Sequence, residues 1–388
     1  MKIAIFSDTF LPNMDGVSTY LFYFIKELEN NGHELYVFAP APTHVNGSDK
    51  GYNIFRSFSI PFPIYEMYRL SIFPYINAIR LIKKIKPDII HIHTPFVLGT
   101  AGFLAGRELG VPIIGTFHTA FIDMKTSFNT LLVNNLTLKM AWLYNMGIYW
   151  RCDRLIVPSY IVKKNLIKFA RKPFRKEPYV IPNGIDYNFF ISISKNVDIR
   201  KIFNIGKEKK IITFIGRITK DKGVYSIVNA AKKIKETSAM FVICGKGPEE
   251  ENLKRIAKNM KNLIYVGFIP EEYKYPLLKE SSIFILPSMA DVFPISAIEA
   301  MYAGTNVLVS SEGGNMDVIG YGERGFVYDF HNEQDMVDKI MFILNNINNL
   351  ENIRKNGIRY TQQIANIKYN VQNVLKIYEE TLFEKKSK

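Results

Sequence analysis

The sequence predicts an α/β protein made of two lobes, each a doubly wound parallel sheet. Three observations lead there. Short apolar runs rich in Ile, Val and Phe alternate with longer segments whose apolar residues recur at helical spacing. The turn-rich piece Ile181-Pro-Asn-Gly-Ile-Asp186 interrupts this alternation once, after which it resumes. Finally, 388 residues with 47% hydrophobic composition are enough for two sizeable cores and exclude a disordered chain.

In the first lobe, strands are expected at 2–7, 34–39, 88–93, 112–116, 154–158 and 179–182. The segments 16–31, 98–109 and 129–150 between them carry helical periodicity. The second series is expected at 210–215, 241–244, 263–266, 283–286, 306–309 and 325–328. No short-period repeat exists, so the architecture repeats without forming a solenoid. The predicted domains are 1–190 and 191–363, with a last helix over 364–388 returning to the first lobe. That helix shows an apolar stripe at Ile364, Ile367, Val371, Val374, Leu375 and Tyr378.

The only cysteines, Cys152 and Cys244, lie far apart, which points to a reducing compartment without a disulfide framework or thiolate metal site. The chain opens Met-Lys-Ile-Ala-Ile-Phe without a leader pattern, and a cytoplasmic location is expected. The most apolar window, 131–150, is broken by Asn134, Asn135, Lys139 and Asn145, so no membrane span is expected. A net charge of +14 suggests anionic partners, although a Lys-, Ile- and Asn-rich composition can equally reflect the gene's base composition. Residues 163–176 hold seven basic side chains (Lys163, Lys164, Lys168, Arg171, Lys172, Arg175, Lys176) and no acidic one, interleaved with Leu166, Ile167, Phe169 and Phe174. Such a patch suits an anionic membrane or, equally, a solvated helix face.

Chemistry is expected where loops follow strands. Pro287-Ser-Met-Ala-Asp-Val-Phe-Pro-Ile-Ser-Ala-Ile-Glu-Ala-Met-Tyr-Ala-Gly304 sets Asp291 in a loop and Glu299 about a turn and a half into a helix, with Pro294 in its first turn. This is the carboxyl edge of a parallel sheet, where ligands bind, though carboxylates near a helix start can also be plain dipole partners. The loop Ile215-Gly-Arg-Ile-Thr-Lys-Asp-Lys-Gly223 offers Arg217 and Lys222, a planar fork and a compact charge that together suit a diphosphate. Gly16 precedes a long helix and fits either an anion site or an ordinary turn. The Cys244-Gly-Lys-Gly-Pro248 turn lacks P-loop spacing. His91, His93 and His118 gather near one edge, but no metal-ligand spacing accompanies them, and packing roles are the alternative.

Taken in order, these motifs resemble a known family. They are Asp15-Gly-Val, Gly32-His33, His93-Thr-Pro, Thr116-Phe-His-Thr, Val157-Pro-Ser, Ile181-Pro-Asn-Gly-Ile-Asp, Gly216-Arg with Lys222-Gly, Gly245-Lys-Gly-Pro, Leu286-Pro-Ser and Ala297-Ile-Glu-Ala-Met-Tyr-Ala-Gly. The chain is similar, nearly end to end, to retaining glycosyltransferases of the GT-B fold in family GT4, whose two Rossmann-like domains face a central cleft. The resemblance implies that Arg217 and Lys222 hold the diphosphate of a nucleotide-sugar donor, with Gly16 donating a backbone N–H to it. Glu299 would accept from the ribose hydroxyls, Asp291 would bind the transferred sugar, and Val292, Phe293 and Ile295 would line the donor site. His118 would line the sugar site and orient donor and acceptor. The implied reaction needs no metal and no cofactor, and the leaving phosphate takes the acceptor proton.

Two departures surround the sugar pocket. Asp291 stands where the family usually has Glu, setting the carboxylate back by about 1.5 Å, one C–C bond. Pro294 stands where many members have glycine, removing one N–H. Ser59-Ile-Pro-Phe-Pro-Ile-Tyr-Glu-Met-Tyr-Arg-Leu70 resembles a loop of the diacylglycerol glucosyltransferases and the phosphatidylinositol mannosyltransferases. That implies a lipid acceptor with Arg69 near its head group and the 163–176 patch on anionic lipid at the inner face of the cell membrane. Phe58, Phe62, Tyr65, Tyr68 and Phe73 fit either that surface or loop packing. The competing expectations are a transferase acting on a soluble sugar or polysaccharide intermediate, and an epimerase or hydrolase of nucleotide sugars. Nucleic acid is not an expected partner, because no recognised binding module is present.

Overall fold

The computed structural model describes the chain except residues 14, 43–52, 63–64, 119–134, 171–172, 235–238, 290 and 388. Of residues 62, 65–68, 135–138 and 169 it describes the backbone alone. Thr119 of the histidine motif, Arg171 and Lys172 of the basic run, and the side chains of Phe62, Tyr65, Tyr68 and Phe169 therefore lie outside the described residues.

The chain divides into two compact units, Met1–Gly184 with Ile367–Lys388, and Ile185–Asn366. The first holds a seven-stranded sheet in the order β3-β2-β1-β6-β7-β8-β9. Its strands are β1 Lys2–Phe6, β2 Glu34–Pro40, β3 Ile54–Ser57, β6 Ile89–Ile92, β7 Ile113–Thr116, β8 Arg154–Val157 and β9 Tyr179–Val180. Every pairing is parallel. Helices cover both faces, which is why these strands read as continuous apolar runs: Ile3 to Phe6 and Ile89 to Ile92 are buried on either side.

A separate antiparallel ribbon, β4 Ser59–Phe62 with β5 Tyr65–Ser71, occupies what sequence patterning treats as a loop. Pro61 and Pro63 obscure it, since proline removes a ladder donor. A two-stranded ribbon consists only of edges and tolerates this. The short strand β3 is likewise invisible in the sequence pattern, having no fully buried residue.

The helix Ile367–Lys386 belongs to the first unit, anchored by specific polar contacts. Asn370 donates to the Pro182 carbonyl at 2.7 Å and accepts from the Tyr20 hydroxyl at 2.8 Å. The Tyr378 hydroxyl meets His91 Nδ1 at 2.6 Å, and Glu384 pairs with Arg154 at 2.6 Å.

The second unit holds a six-stranded parallel sheet in the order β12-β11-β10-β13-β14-β15. The strands are β10 Lys210–Ile215, β11 Ala239–Cys244, β12 Leu263–Gly267, β13 Ser281–Leu286, β14 Asn306–Ser310 and β15 Phe326–Tyr328. In chain order this is 3-2-1-4-5-6, the doubly wound arrangement whose direction of winding reverses between β10 and β13. Phe214, Phe241 and Phe284 are fully buried in adjacent strands, each contributing about 1.5–3 kcal/mol by leaving water.

At the carboxyl edge of this sheet the loops touch backbone to backbone. A Cβ at Gly245, whose φ is +141°, would lie 1.7 Å from the Gly216 carbonyl oxygen. A Cβ at Gly223, with φ +68°, would lie 2.1 Å from the Pro287 carbonyl oxygen. Gly110 in the first unit has a similar φ of +69° but open space around it. Gly110→Ala is therefore expected to cost only its left-handed strain, about 1 kcal/mol, whereas Gly245→Ala must also push the Gly216 loop away and should cost about 3 kcal/mol or more. Denaturant unfolding of the two variants, followed separately for each unit by local probes, checks this ordering.

Candidate active site

The reversal of winding between β10 and β13 leaves a crevice beyond their carboxyl ends, and the loops that follow these strands deliver the charged groups. After β10 comes Gly216-Arg217, then a single 3₁₀ turn Lys220–Lys222, then Gly223, then the helix Val224–Lys233. Asp221 anchors this loop: it is buried, its Oδ2 sits 3.6 Å from an Arg217 nitrogen, and its carbonyl accepts the Met289 N–H at 2.9 Å. That last bond ties the loop after β10 to the loop after β13.

Lys222 and Asp291 form an ion pair across those two loops, with side chains 13% and 18% exposed. Burial acts to raise the Asp291 carboxyl, but the Lys222 charge and hydrogen bond, helped by Ser288 and Arg217, hold it below its ordinary range. The Asp291 carbonyl also accepts the Gly314 N–H at 2.6 Å, fixing the loop against the one after β14.

Glu299 lies on the helix Ile295–Tyr302, preceded by Pro294 in extended conformation. Pro294 thus caps the helix and does not enter its first turn, a difference of one residue that its fixed φ and missing N–H allow. Glu299 is 2% exposed, and its Oε1 has no hydrogen-bond partner among the described residues. Burial pushes this carboxyl up to about 7, with Lys274 opposing the shift and Glu271 adding to it. Val292, Phe293 and Ile295 are buried beside these carboxylates in sequence.

The first unit holds the other candidates. Asp15 caps the helix Gly16–Asn30 by accepting from Val17 and Ser18, and a Cβ at Gly16 would meet nothing within 4 Å. Gly16 is therefore not demanded by crowding within the unit. His118 follows β7, half-buried, with its Nε2 2.9 Å from His93 Nδ1 and the Tyr20 ring 5.1 Å away between centroids. Burial pushes His118 down to about 3, and burial with the neighbouring imidazoles pushes His93 well below its ordinary range, so both are neutral at ordinary pH. His91 is held between Tyr378 and Thr116. Arg69 lies on the ribbon, where its Nε donates to Ser59 Oγ at 2.9 Å and a terminal nitrogen to the Ser59 carbonyl at 2.6 Å.

Three of the seven basic side chains of the 163–176 run have acidic partners. Lys163 pairs with Glu177, Arg175 with Asp153 and Lys176 with Glu384. Two groups that sequence patterning does not single out also emerge. Asp8 bonds the N–H groups of Phe96, Leu98 and Gly99 at the start of the helix Val97–Leu109, and Lys274 approaches Glu299. Only the Glu271 to Lys274 spacing hints at the latter.

Comparison with known proteins places the chain in a family. Residues 14–189 match the family described as Glycosyltransferase Family 4, and residues 196–360 match Glycosyl transferases group 1. The chain is similar to a GDP-mannose-dependent alpha-mannosyltransferase of Corynebacterium glutamicum, 26% identical over 332 residues, 85% of this chain and 77% of that one. It is also similar to the alpha-monoglucosyldiacylglycerol synthase of Acholeplasma laidlawii, 25% identical over 378 residues and 94% of each chain. The crystal structure of Anabaena HepE in complex with UDP-glucose shares the fold, with a TM-score of 0.77 at 15% identity over 98% of this chain and 100% of that one. The chain belongs to the family 4 glycosyltransferases, with the GT-B fold.

The buried pair has a measurable signature. With Lys222→Met, Asp291 loses the partner that lowers its pKa, and burial raises the carboxyl instead. The parent gains stability above the unfolded carboxyl pKa from this pair, so the variant should be about 2–3 kcal/mol less stable at pH 7, with the gap narrowing toward pH 4. Adding Asp291→Asn should recover much of the loss; urea midpoints at the two pH values test it.

Proposed function

We propose that the protein moves a hexose, with retention of configuration and without a metal ion, from a nucleotide-diphosphate sugar, UDP-linked, to a lipid or glycolipid acceptor at a membrane surface. The observation that carries this reading is the gathering of two cations, the half-buried Asp291 and the buried Glu299 at the winding reversal of the second unit. Arg217 and Lys222 suit a diphosphate: charge builds on it as the sugar departs, and fixed cations in a site poor in water stabilise that charge more in the transition state than in the ground state. This is the service that a divalent ion performs elsewhere, hence the metal-independent assignment.

Glu299, whose buried Oε1 has no hydrogen-bond partner among the described residues, suits the ribose hydroxyls, which can only donate to it. Asp291 suits the hydroxyls of the sugar once Lys222 turns to the phosphates. Val292, Phe293 and Ile295 line the donor side. From the first unit, Gly16 serves as a backbone donor to the diphosphate and the neutral His118 serves the transferred sugar.

Two observations support a lipid acceptor. One is the end-to-end similarity to an enzyme named for a diacylglycerol product. The other is the ribbon bearing Arg69, flanked by Phe58 and Phe73, which are 71% and 88% exposed. Among the described residues no helix is long and apolar enough to cross a membrane, so contact with the inner face of the cell membrane would be peripheral.

The test incubates purified protein with UDP-hexoses and total membrane lipid, reading products by mass and the new linkage by NMR. An α-linked hexosyl lipid from an α-linked donor, formed equally with and without EDTA, is expected. A sugar altered without acceptor favours an epimerase or hydrolase, and a product found only with soluble sugars overturns the lipid assignment. Lys222→Ala and Arg217→Ala should each lower kcat by about a hundredfold or more, as expected for groups acting on the leaving charge. Unchanged turnover in both removes the diphosphate assignment.

A further inference from the structure

The helix Glu271–Glu280 brings two charged groups toward Glu299 that the reaction as proposed leaves unused. Lys274 Nζ lies 2.6 Å from a Glu271 oxygen and 3.9 Å from Glu299 Oε1. The side chains of Lys274 and Glu299 are 13% and 2% exposed. Two carboxylates and one ammonium thus share a site largely closed to water, and the ammonium sits closer to Glu271. The other titratable groups around them are Tyr275 on the same helix, Tyr187 and Tyr302 near Glu299, and Cys244 near Lys274. Burial raises the hydroxyls of Tyr187 and Tyr302 and the thiol of Cys244, so these three are neutral at ordinary pH, while the Tyr275 ring packs beside Tyr302 and under the Lys279 ammonium at 6.0 Å.

We infer that Lys274 is a positioning residue for the nucleotide, holding Glu299 as a carboxylate aimed at the ribose, and that Glu271 competes with Glu299 for it. The inference rests on the assignment of Glu299 to the ribose. A protonated carboxyl can offer its remaining oxygen only weakly, whereas the ionised form accepts hydroxyl hydrogen bonds that are about twice as strong. With two acidic neighbours and one base, the ionisation of Glu299 depends on how Lys274 divides its charge between them. Lys274 itself stays protonated: burial pulls it down, and the charges of Glu299 and Glu271 more than offset that pull.

The sign of the pH dependence follows. Glu299 is raised from its ordinary range to about 7, so the free protein takes up a proton there as pH falls through about 7. Nucleotide that needs the ionised form must expel that proton, and its affinity declines over the same range. Lys274→Met removes the opposing charge and moves this decline to higher pH. Glu271→Gln removes a like charge, releases Lys274 toward Glu299 and moves the decline lower.

Calorimetric titration of the intact protein with UDP and with GDP, which share the ribose, between pH 5.5 and 9 tests this. The Glu299→Gln profile supplies the baseline, including the titration of the terminal phosphate itself near pH 6. Lys274→Met should raise Kd about fivefold at pH 7 and about ninefold at pH 6, corresponding to a midpoint shift of about one pH unit, with affinity recovering by pH 9. Lys274→Arg should keep the parent profile, and Glu271→Gln should shift the midpoint downward. A loss in Lys274→Met that is equal at every pH, or a Glu271→Gln midpoint that does not move, overturns the inference. Parent-like binding by Glu299→Gln overturns the ribose assignment instead.

Discussion

The second unit depends on how closely its strand-end loops approach one another. Backbone meets backbone where Gly245 faces the Gly216 carbonyl and where Gly223 faces the Pro287 carbonyl, and no side chain fits at either contact. Because the loops after β10, β11 and β13 are locked together in this way, Arg217, Lys222 and Asp291 occupy fixed places on rigid supports. Under the proposed reaction the loops that carry these groups need not move and only the side chains turn to the ligand, which keeps the reorganisation that electrostatic catalysis must overcome small. The same closeness explains why the buried Asp221 is spent on holding a loop: its carbonyl bonds Met289 while its carboxylate stays beside Arg217.

The cations of this site each have a carboxylate beside them. Lys222 is matched by Asp291, Arg217 by Asp221, and Lys274 is shared by Glu271 and Glu299. Isolated buried charges would be costly, so each cation has a carboxylate to hold until a ligand replaces it. A diphosphate entering such a site exchanges one anionic partner for another. The net change in burial energy is then smaller than for binding to bare cations, and selectivity comes from geometry more than from raw charge.

Much of the fold was legible in the sequence, and the reason is physical. Strands buried on both faces must be apolar throughout, so Ile3 to Phe6, Ile211 to Ile215 and Ile283 to Leu286 announce themselves. The ribbon at 59–71 did not, because Pro61 and Pro63 mask strand character that an isolated hairpin tolerates. Loop positions for Arg217, Lys222 and Asp291 could be read from the turn residues that end each strand, but the Lys222 to Asp291 pair spans 69 positions and is settled by packing. The approach of Lys274 to Glu299 depends on how two helices lie on one sheet, which no local pattern encodes. The basic run at 163–176 acquires acidic partners that its own span does not show: Glu177 is the next residue, while Asp153 and Glu384 come from other elements.

The second unit is inserted within the first, entering at Ile185 and leaving at Asn366, residues that pair with each other as a β-bridge. During synthesis on the ribosome, residues 185–366 are therefore complete before the helix Ile367–Lys386 exists. The first unit must wait with Tyr20, His91 and Arg154 lacking the partners that Asn370, Tyr378 and Glu384 later supply. The second unit can thus finish folding first, although it comes later in the chain, reversing the usual N-terminal-first order of domain maturation. Any nascent chain stalled before residue 367 would present an unfinished first unit to the cell's quality-control machinery.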